Sequence, residues 1–222
     1  MQKYPNGDGP TDIPIVTGRV DAGFLTGQRD MLHQRLVAQA VRVIGGRVHT
    51  PVSLQIAARQ MQCESSVQQV VMIDCDVHQG NGTAFIFRDD ASVFTFSIHG
   101  EKNFPFHKET GDLDIALPDG ADDQAYLSAL SRGLGKALHL AKAGLAIYLA
   151  GADPFINDRL GRMALTKQGL AKRDQMVLEA CRLRSIPVAV VMAGGYAPQI
   201  EDIVDIHCQT IRLSTQFSSS LA

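Results

Sequence analysis

Asp74, Asp76 and His78 stand in the run Asp74-Cys75-Asp76-Val77-His78-Gln79-Gly80-Asn81-Gly82-Thr83, directly after the apolar stretch Val70-Val71-Met72-Ile73. Charged groups at the end of a buried strand are costly unless an opposite charge sits between them. A divalent cation meets that need. Asp153, at the end of another apolar stretch, offers a third donor. One imidazole and two carboxylates form a Zn²⁺ site with a position left for water and substrate. Fe²⁺ suits the same nitrogen and oxygen set. The plainer alternative is that Asp76 caps a turn and His78 is an ordinary hydrogen-bonded histidine. Asp74 precedes Asp76 by two and shares its side of a strand, so it can orient a histidine or hold another cation.

Gly80 and Gly82 let backbone pass close to such a site, or simply make a turn. They do not belong to a GxGxxG dinucleotide fingerprint, because acid and histidine follow the strand here. Gly194-Gly195-Tyr196 places a phenol after a flexible strand end. Its hydroxyl can donate a hydrogen bond to an oxygen gaining negative charge. The alternative is a tyrosine packed over the sheet edge.

These residues need elements to position them. Four stretches read as buried parallel strands: 69–74, 92–98, 145–150 and 186–192. They are mostly continuously apolar, as strands covered on both faces are. Between them lie helical patterns. Asp122 or Asp123 caps a helix with the stripe Tyr126, Leu127, Leu130, Leu134, Leu138 and Ala141, ended near Gly144. Thr166 caps a second, which turns Leu170, Val177, Leu178 and Cys181 toward the sheet. A third begins near Pro198 and carries Ile200, Ile203, Val204, His207 and Ile211. Alternating strands and helices predict a doubly wound α/β domain, where ligands gather outside the carboxyl ends of strands. Asp76 and His78, His99, Asp153 and Tyr196 all follow strands. The first third is less regular: residues 1–28 show little periodicity beyond a short apolar run at 13–16, and helices are expected at 30–43 and 52–62.

The whole chain narrows the function classes. With 222 residues and 45% hydrophobic content it can bury a sizeable core as one domain. The 21 basic and 23 acidic residues give a net charge of -2, which argues against nucleic acid as a partner. No long apolar span or signal-peptide core is present, so no membrane partner and a cytoplasmic location are expected. Cys63, Cys75, Cys181 and Cys208 form no CxxC pair and are expected as reduced thiols.

The Asp74–Thr83 run resembles the metal-site signature of the histone deacetylase family, which shares its fold with arginase. The likeness continues through Phe94-Thr95-Phe96-Ser97-Ile98-His99-Gly100, Gly151-Ala152-Asp153-Pro154 and Ala193-Gly194-Gly195-Tyr196, in the family's order. It is most similar to bacterial members, with Gln79 after the ligand histidine and Asp158-Arg159-Leu160-Gly161 after the third ligand. The resemblance implies a three-layer arginase/deacetylase-like α/β domain with a mainly parallel central sheet and an incomplete N-terminal part. One domain would span 1–222, with 1–68 divergent or truncated and 69–212 well matched.

The resemblance also implies site roles. Asp76, His78 and Asp153 correspond to zinc ligands and Tyr196 to the transition-state tyrosine. Asp74 corresponds to the acid that orients a catalytic histidine. The backbone of Asp74, Asp76, His78, Ser97 and Ile98 would form a structural K⁺ site, with a second cation near Phe87 and Val93. The implied reaction is removal of an acetyl group from an acetylated lysine or small acetylated amine. Phe104 and Phe106 would line the mouth of a substrate tunnel, or serve as loop anchors. Arginase-like chemistry with two manganese ions wants more carboxylates and histidines than can be placed.

One departure stands against this likeness. The family carries two adjacent histidines in a Gly-Gly-x-His-His setting upstream of the metal-ligand aspartate, and no such pair occurs in these 222 residues. The nearest candidates are His33 and His49, the latter in Gly45-Gly46-Arg47-Val48-His49. A positioned imidazole is what moves the water proton to the leaving amine. The expected function is a zinc-dependent amidohydrolase of the deacetylase kind, the alternative a catalytically impaired metal-binding relative or truncated product, and deacetylation by these 222 residues is expected to be weak or absent.

Overall fold

The structure is a computed structural model that describes residues 53–64 and 67–219. The helix and short strand expected at 30–43 and 13–16, and the histidines His33 and His49, lie outside the described residues.

The chain runs α1 (Ser53–Glu64), β1 (Val70–Asp74), α2 (Asn81–Phe87), β2 (Val93–Gly100), β3 (Leu113–Leu117), α3 (Asp123–Ala141), β4 (Leu145–Gly151), α4 (Lys167–Arg182), β5 (Val188–Ala193) and α5 (Ile200–Ser219). The five strands form one parallel sheet in the order β3-β2-β1-β4-β5. β1 lies at its centre.

Strand alternation divides the core in two. Val70, Met72, Leu145 and Ile147 pack with Ala57, Ala58 and Met61 of α1 and Phe87 of α2. Val71, Ile73, Ala146 and Tyr148 face the opposite way, against Tyr126, Leu130, Leu134 and Leu138 of α3 and Leu170, Val177 and Cys181 of α4. Successive side chains of a strand point to opposite faces, so an unbroken apolar run must be covered on both. The result is the expected three-layer α/β architecture. Each such buried aliphatic or aromatic side chain contributes roughly 1.5–3 kcal/mol relative to exposure.

The caps follow local chemistry. The Asp122 carboxylate accepts from the Ala125 N–H, and the Thr166 hydroxyl accepts from the Gly169 N–H. Asp123 instead accepts from the Thr166 backbone N–H and hydroxyl, tying the start of α3 to that of α4. α3 ends before Gly144, with Lys142 taking the left-handed conformation at φ 46°.

Two elements go beyond the sequence reading. α2 is a single short helix inside the Asp74–Thr83 neighbourhood. β3 is a half-exposed edge strand whose alternating sequence Leu113-Asp114-Ile115-Ala116-Leu117 lacks the apolar run of its neighbours. β2 also extends two residues further than expected, so His99 lies within the strand end rather than after it.

Candidate metal centre

β1 is in register with β2 on one side and β4 on the other, with Asp74 opposite both Ser97 and Leu149. The chain leaving β1 therefore runs beside the chain leaving β4. Asp74 accepts a hydrogen bond from the Asp76 N–H at 3.0 Å, and Asp76 accepts one from the His78 N–H at 2.9 Å. These two Asx-type bonds coil the turn so that Asp76 and His78 point at the end of β4.

Asp153 meets them there. Its Oδ1 accepts from the Val77 N–H at 2.9 Å, and its Oδ2 lies 3.1 Å from His78 Nδ1. His78 Nδ1 is also 3.0 Å from Asp76 Oδ1. One ligand-capable atom from each of Asp76, His78 and Asp153 lies within 4.8 Å of the others. The structure thus brings together the three residues that the sequence singled out, from two strand ends far apart in sequence.

The electrostatics are those of a site short of positive charge. Asp153 is fully buried, and burial followed by the Asp76 charge pushes its carboxyl up to about 7. Asp74 is buried too; desolvation, then the Asp76 carboxylate, raises it well above the usual range. Hydrogen bonds to Asp153 and then Asp76 raise His78 to about 10. One partly exposed imidazolium is thus set against several acids.

The backbone is shaped around the carboxylates. A Cβ on Gly194 would overlap Asp153 Oδ2 and lie 2.7 Å from Asp76 Oδ2. A Cβ on Gly151 would lie 2.8 Å from both Asp153 Oδ1 and the Asp76 Cα. Gly80 leaves room for the Asp74 carboxylate. Close-packed backbone around two acids, with an Asp/His/Asp donor set converging on one point, fits a divalent cation.

Of the remaining candidates, Phe87 and Val93 lie at the opposite end of the sheet from this centre, since Val93 pairs with Val70 at the start of β1. Tyr196 follows the Gly194-Gly195 pair and is exposed; its N–H donates to Asp158 Oδ2 at 2.6 Å and its carbonyl accepts from Arg159 Nε at 3.0 Å. Ser97 and Ile98 are buried in β2, and the Ser97 hydroxyl lies 2.9 Å from His99 Nδ1. Burial lowers His99 to about 4. Asp74 and Ser97 also line a small, partly open pocket with Met72, Gly80, Thr83 and Thr95. Phe87 is buried at the end of α2 and Val93 at the start of β2. Phe104 and Phe106 are exposed, with ring centroids 6.0 Å apart in an edge-to-face pair. They do not anchor their loop.

Polar side chains hold this loop and its neighbours, and no sequence pattern assigns them that role; Lys108 Nζ donates to the Asn103 and Pro105 carbonyls at 2.5 and 2.6 Å. The buried Gln79 side chain donates to the Glu109 carbonyl at 2.7 Å and to Asp114 at 3.0 Å, and accepts from the Glu109 N–H at 2.9 Å. Buried Asn103 donates to the Leu160 carbonyl at 2.7 Å. Asp158 accepts from the N–H groups of Leu160 and Gly161 as well as that of Tyr196. The signal for Gln79 was its place directly after His78; nothing comparable marks Asn103.

Fold and site together define a deacetylase-type α/β domain with an acidic, histidine-containing centre at its strand ends. The histone deacetylase domain matches residues 53–211, and the chain belongs to that family. It is 48% identical over 154 residues to an uncharacterised protein of Picosynechococcus, covering 69% of this chain and 51% of the relative. It is 30% identical over 133 residues to histone deacetylase 2 of Arabidopsis thaliana, covering 59% and 34%. The chain therefore spans about half the length of the first of these relatives and about a third of the second. In fold it is similar to an acetylpolyamine aminohydrolase from Burkholderia pseudomallei, with a TM-score of 0.64 at 18% identity over 82% of this chain and 60% of that one. It is likewise similar to the histone deacetylase Clr3, with a TM-score of 0.65 at 20% identity over 86% and 37%.

Proposed function

We propose that Asp76, His78 and Asp153 bind a divalent metal, zinc by the family likeness with Fe²⁺ compatible, in a centre of the amide-hydrolysing deacetylase kind. The observation that carries this reading is the convergence of the three donors within 4.8 Å, one of them a fully buried carboxylate. When bound, such an ion supplies Lewis acidity toward an acyl carbonyl and water. Asp74 orients the Asp76 turn through its backbone N–H. Tyr196 donates its phenol hydrogen bond to the oxygen that gains charge as the amide carbon becomes tetrahedral. The substrate class is an acetylated lysine or small acetylated amine, entering past Phe104 and Phe106. The backbone of Asp74, Asp76, His78, Ser97 and Ile98 forms a structural K⁺ site. We assign the chain to a single domain over 1–222, with 1–68 its divergent part.

Among the described residues no helix is long and apolar enough to cross a membrane. All four cysteines are free, and burial pushes the Cys75 and Cys181 thiols up to about 12. Unreactive buried thiols suit a reducing, cytoplasmic setting.

A specific observation favours metal binding with weak turnover in this 222-residue chain. Among the described residues the donor group contains one imidazole, held between two carboxylates, and no adjacent histidine pair exists in the sequence. Positioned acid–base assistance is typically worth ~10²–10⁴ in rate. The test is zinc content after dialysis for wild type, His78→Ala and Asp153→Ala, beside an acetyl-lysine assay with Tyr196→Phe and His49→Ala. Zinc near one equivalent in wild type alone supports the centre; equal zinc in all three proteins refutes it. Robust turnover abolished by His49→Ala would replace the weak-turnover reading with one in which His49 is the base.

A further inference from the structure

Among the described residues Arg173 of α4 is the largest side chain without solvent exposure, and it does not belong to the cluster of Asp76, His78 and Asp153. Its Nε donates to Asp174 Oδ1 at 2.9 Å, and its Nη2 lies 2.8 Å from the same oxygen. Asp174 is fixed in turn by the Tyr148 hydroxyl from β4 and by the Thr210 hydroxyl from α5, the latter at 2.6 Å. All four side chains are buried. A buried ion pair is an inefficient way to gain stability, since apolar side chains of similar volume often do as well or better. The guanidinium supplies something an apolar side chain lacks. Its Nη1 donates to the Gly151 carbonyl and, more weakly at 3.4 Å, to the Cys75 carbonyl.

Those two carbonyls belong to different strand ends. Cys75 lies between Asp74 and Asp76 at the exit of β1; Gly151 lies two residues before Asp153 at the exit of β4. One guanidinium nitrogen, Nη1, held in place by the Nε and Nη2 contacts to Asp174, therefore bonds both backbone segments whose separation sets where Asp153 stands relative to Asp76 and His78. The Val77 N–H to Asp153 Oδ1 bond crosses the same gap. Geometry of this kind is what a fixed guanidinium provides and a flexible ammonium does not.

We propose that Arg173, locked by Asp174, is a positioning residue that holds the β1 and β4 turns at the spacing the metal centre requires; the inference rests on the metal reading above. Groups that orient metal ligands typically change affinity by 10–100-fold when altered. The test uses Arg173→Lys, which keeps the charge but loses the fork, and Thr210→Val, which loosens Asp174 without touching either turn. Two quantities are read on the full chain: amide hydrogen exchange at Val77 in the EDTA-treated protein, and zinc affinity by chelator competition. In Arg173→Lys, Val77 exchange should rise about tenfold relative to the Val71 and Ile147 amides, and zinc affinity should fall about tenfold or more. Thr210→Val should move both in the same direction by a smaller factor, and it decides the matter if Arg173→Lys does not fold. Uniform acceleration across the sheet with unchanged zinc affinity would overturn the proposal and leave Arg173 as ordinary core. If the wild type takes up no zinc, the metal reading fails while the Val77 contrast still decides whether Arg173 holds the two turns.

Discussion

Replacing Asp153 by asparagine should make the metal-free protein gain stability on wild type as pH rises from 5 to 8, and should make the zinc-loaded protein less stable. Asp153 is fully buried, and desolvation followed by the charge of Asp76 raises its carboxyl from 3.8 to about 7. A carboxyl raised on folding stabilises the folded state fully only below its unfolded value, and that stability is lost as pH climbs through the folded value. The window is thus pH 3.8 to about 7. At ~1.4 kcal/mol per pH unit the full effect is ~4 kcal/mol, of which ~3 kcal/mol falls between pH 5 and 7. That is a large part of a typical domain stability of about 5–15 kcal/mol. Asparagine has no proton to lose and keeps an acceptor for the Val77 N–H.

Other groups titrate nearby, so the assay is a difference between two proteins at each pH. Burial lowers His99 to about 4 and also lowers His207; both contribute stability that grows as pH rises toward 6.5, opposite in sign to Asp153. They cancel in the difference. His78, raised to about 10 by its hydrogen bonds to Asp153 and Asp76, loses its contribution between 6.5 and about 10 and so enlarges the contrast. Urea unfolding in EDTA at pH 5 and pH 8 should show the variant gaining ~3 kcal/mol on wild type across that interval. Zinc at a hundredfold excess over Kd should then restore ~2.7 kcal/mol to wild type and little to the variant. A metal-free difference that stays flat from pH 5 to pH 8 would refute the idea of a buried carboxylate short of a counter-charge.

Three further outcomes follow from the same geometry. Gly194→Ala should abolish zinc uptake and cost roughly 1–3 kcal/mol of stability by overpacking, measured by metal analysis and urea unfolding, because the added methyl overlaps the Asp153 carboxylate. Asp158→Ala frees the Tyr196 N–H along with those of Leu160 and Gly161, so binding of an acetyl-lysine peptide should weaken about tenfold or more with zinc content unchanged. Potassium should raise the melting temperature of wild type more than that of Asp74→Asn, and an equal response in both would remove Asp74 from the cation site.

Much of this architecture was legible because burial on two faces leaves an unbroken apolar run, and β1, β4 and β5 carry one, while β2 up to Ile98 is interrupted only by the small polar Thr95 and Ser97. The same logic failed for β3, an edge strand with one exposed face whose charged Asp114 breaks the run. It failed for α2 because about two turns of helix, seven residues, are too short to show a period. The N-caps were readable from residue type, although Asp123 was claimed by Thr166 across the fold, which no local pattern encodes.

The site divides along the same line. Asp76, His78 and Asp153 could be picked out because acids and an imidazole at strand ends conflict with their apolar surroundings, and the conflict itself is visible in sequence. What holds them is not visible in that way. Gly151 and Gly194 look like turn glycines until a methyl is placed on them and meets the carboxylates. Gln79, Asn103 and Asp158 act through backbone groups of distant loops, joining the His78 turn to the Phe104–Phe106 loop, that loop to the Leu160 turn, and that turn to Tyr196. Backbone partners carry no residue-type signature, so such a chain of bonds emerges only once the strands are in register. Its physical consequence is that the wall around the centre is set by hydrogen bonds rather than by apolar contact. Loosening any one of the three should therefore displace Tyr196 or the phenylalanine pair while leaving the sheet, and the donors fixed to its strand ends, in place.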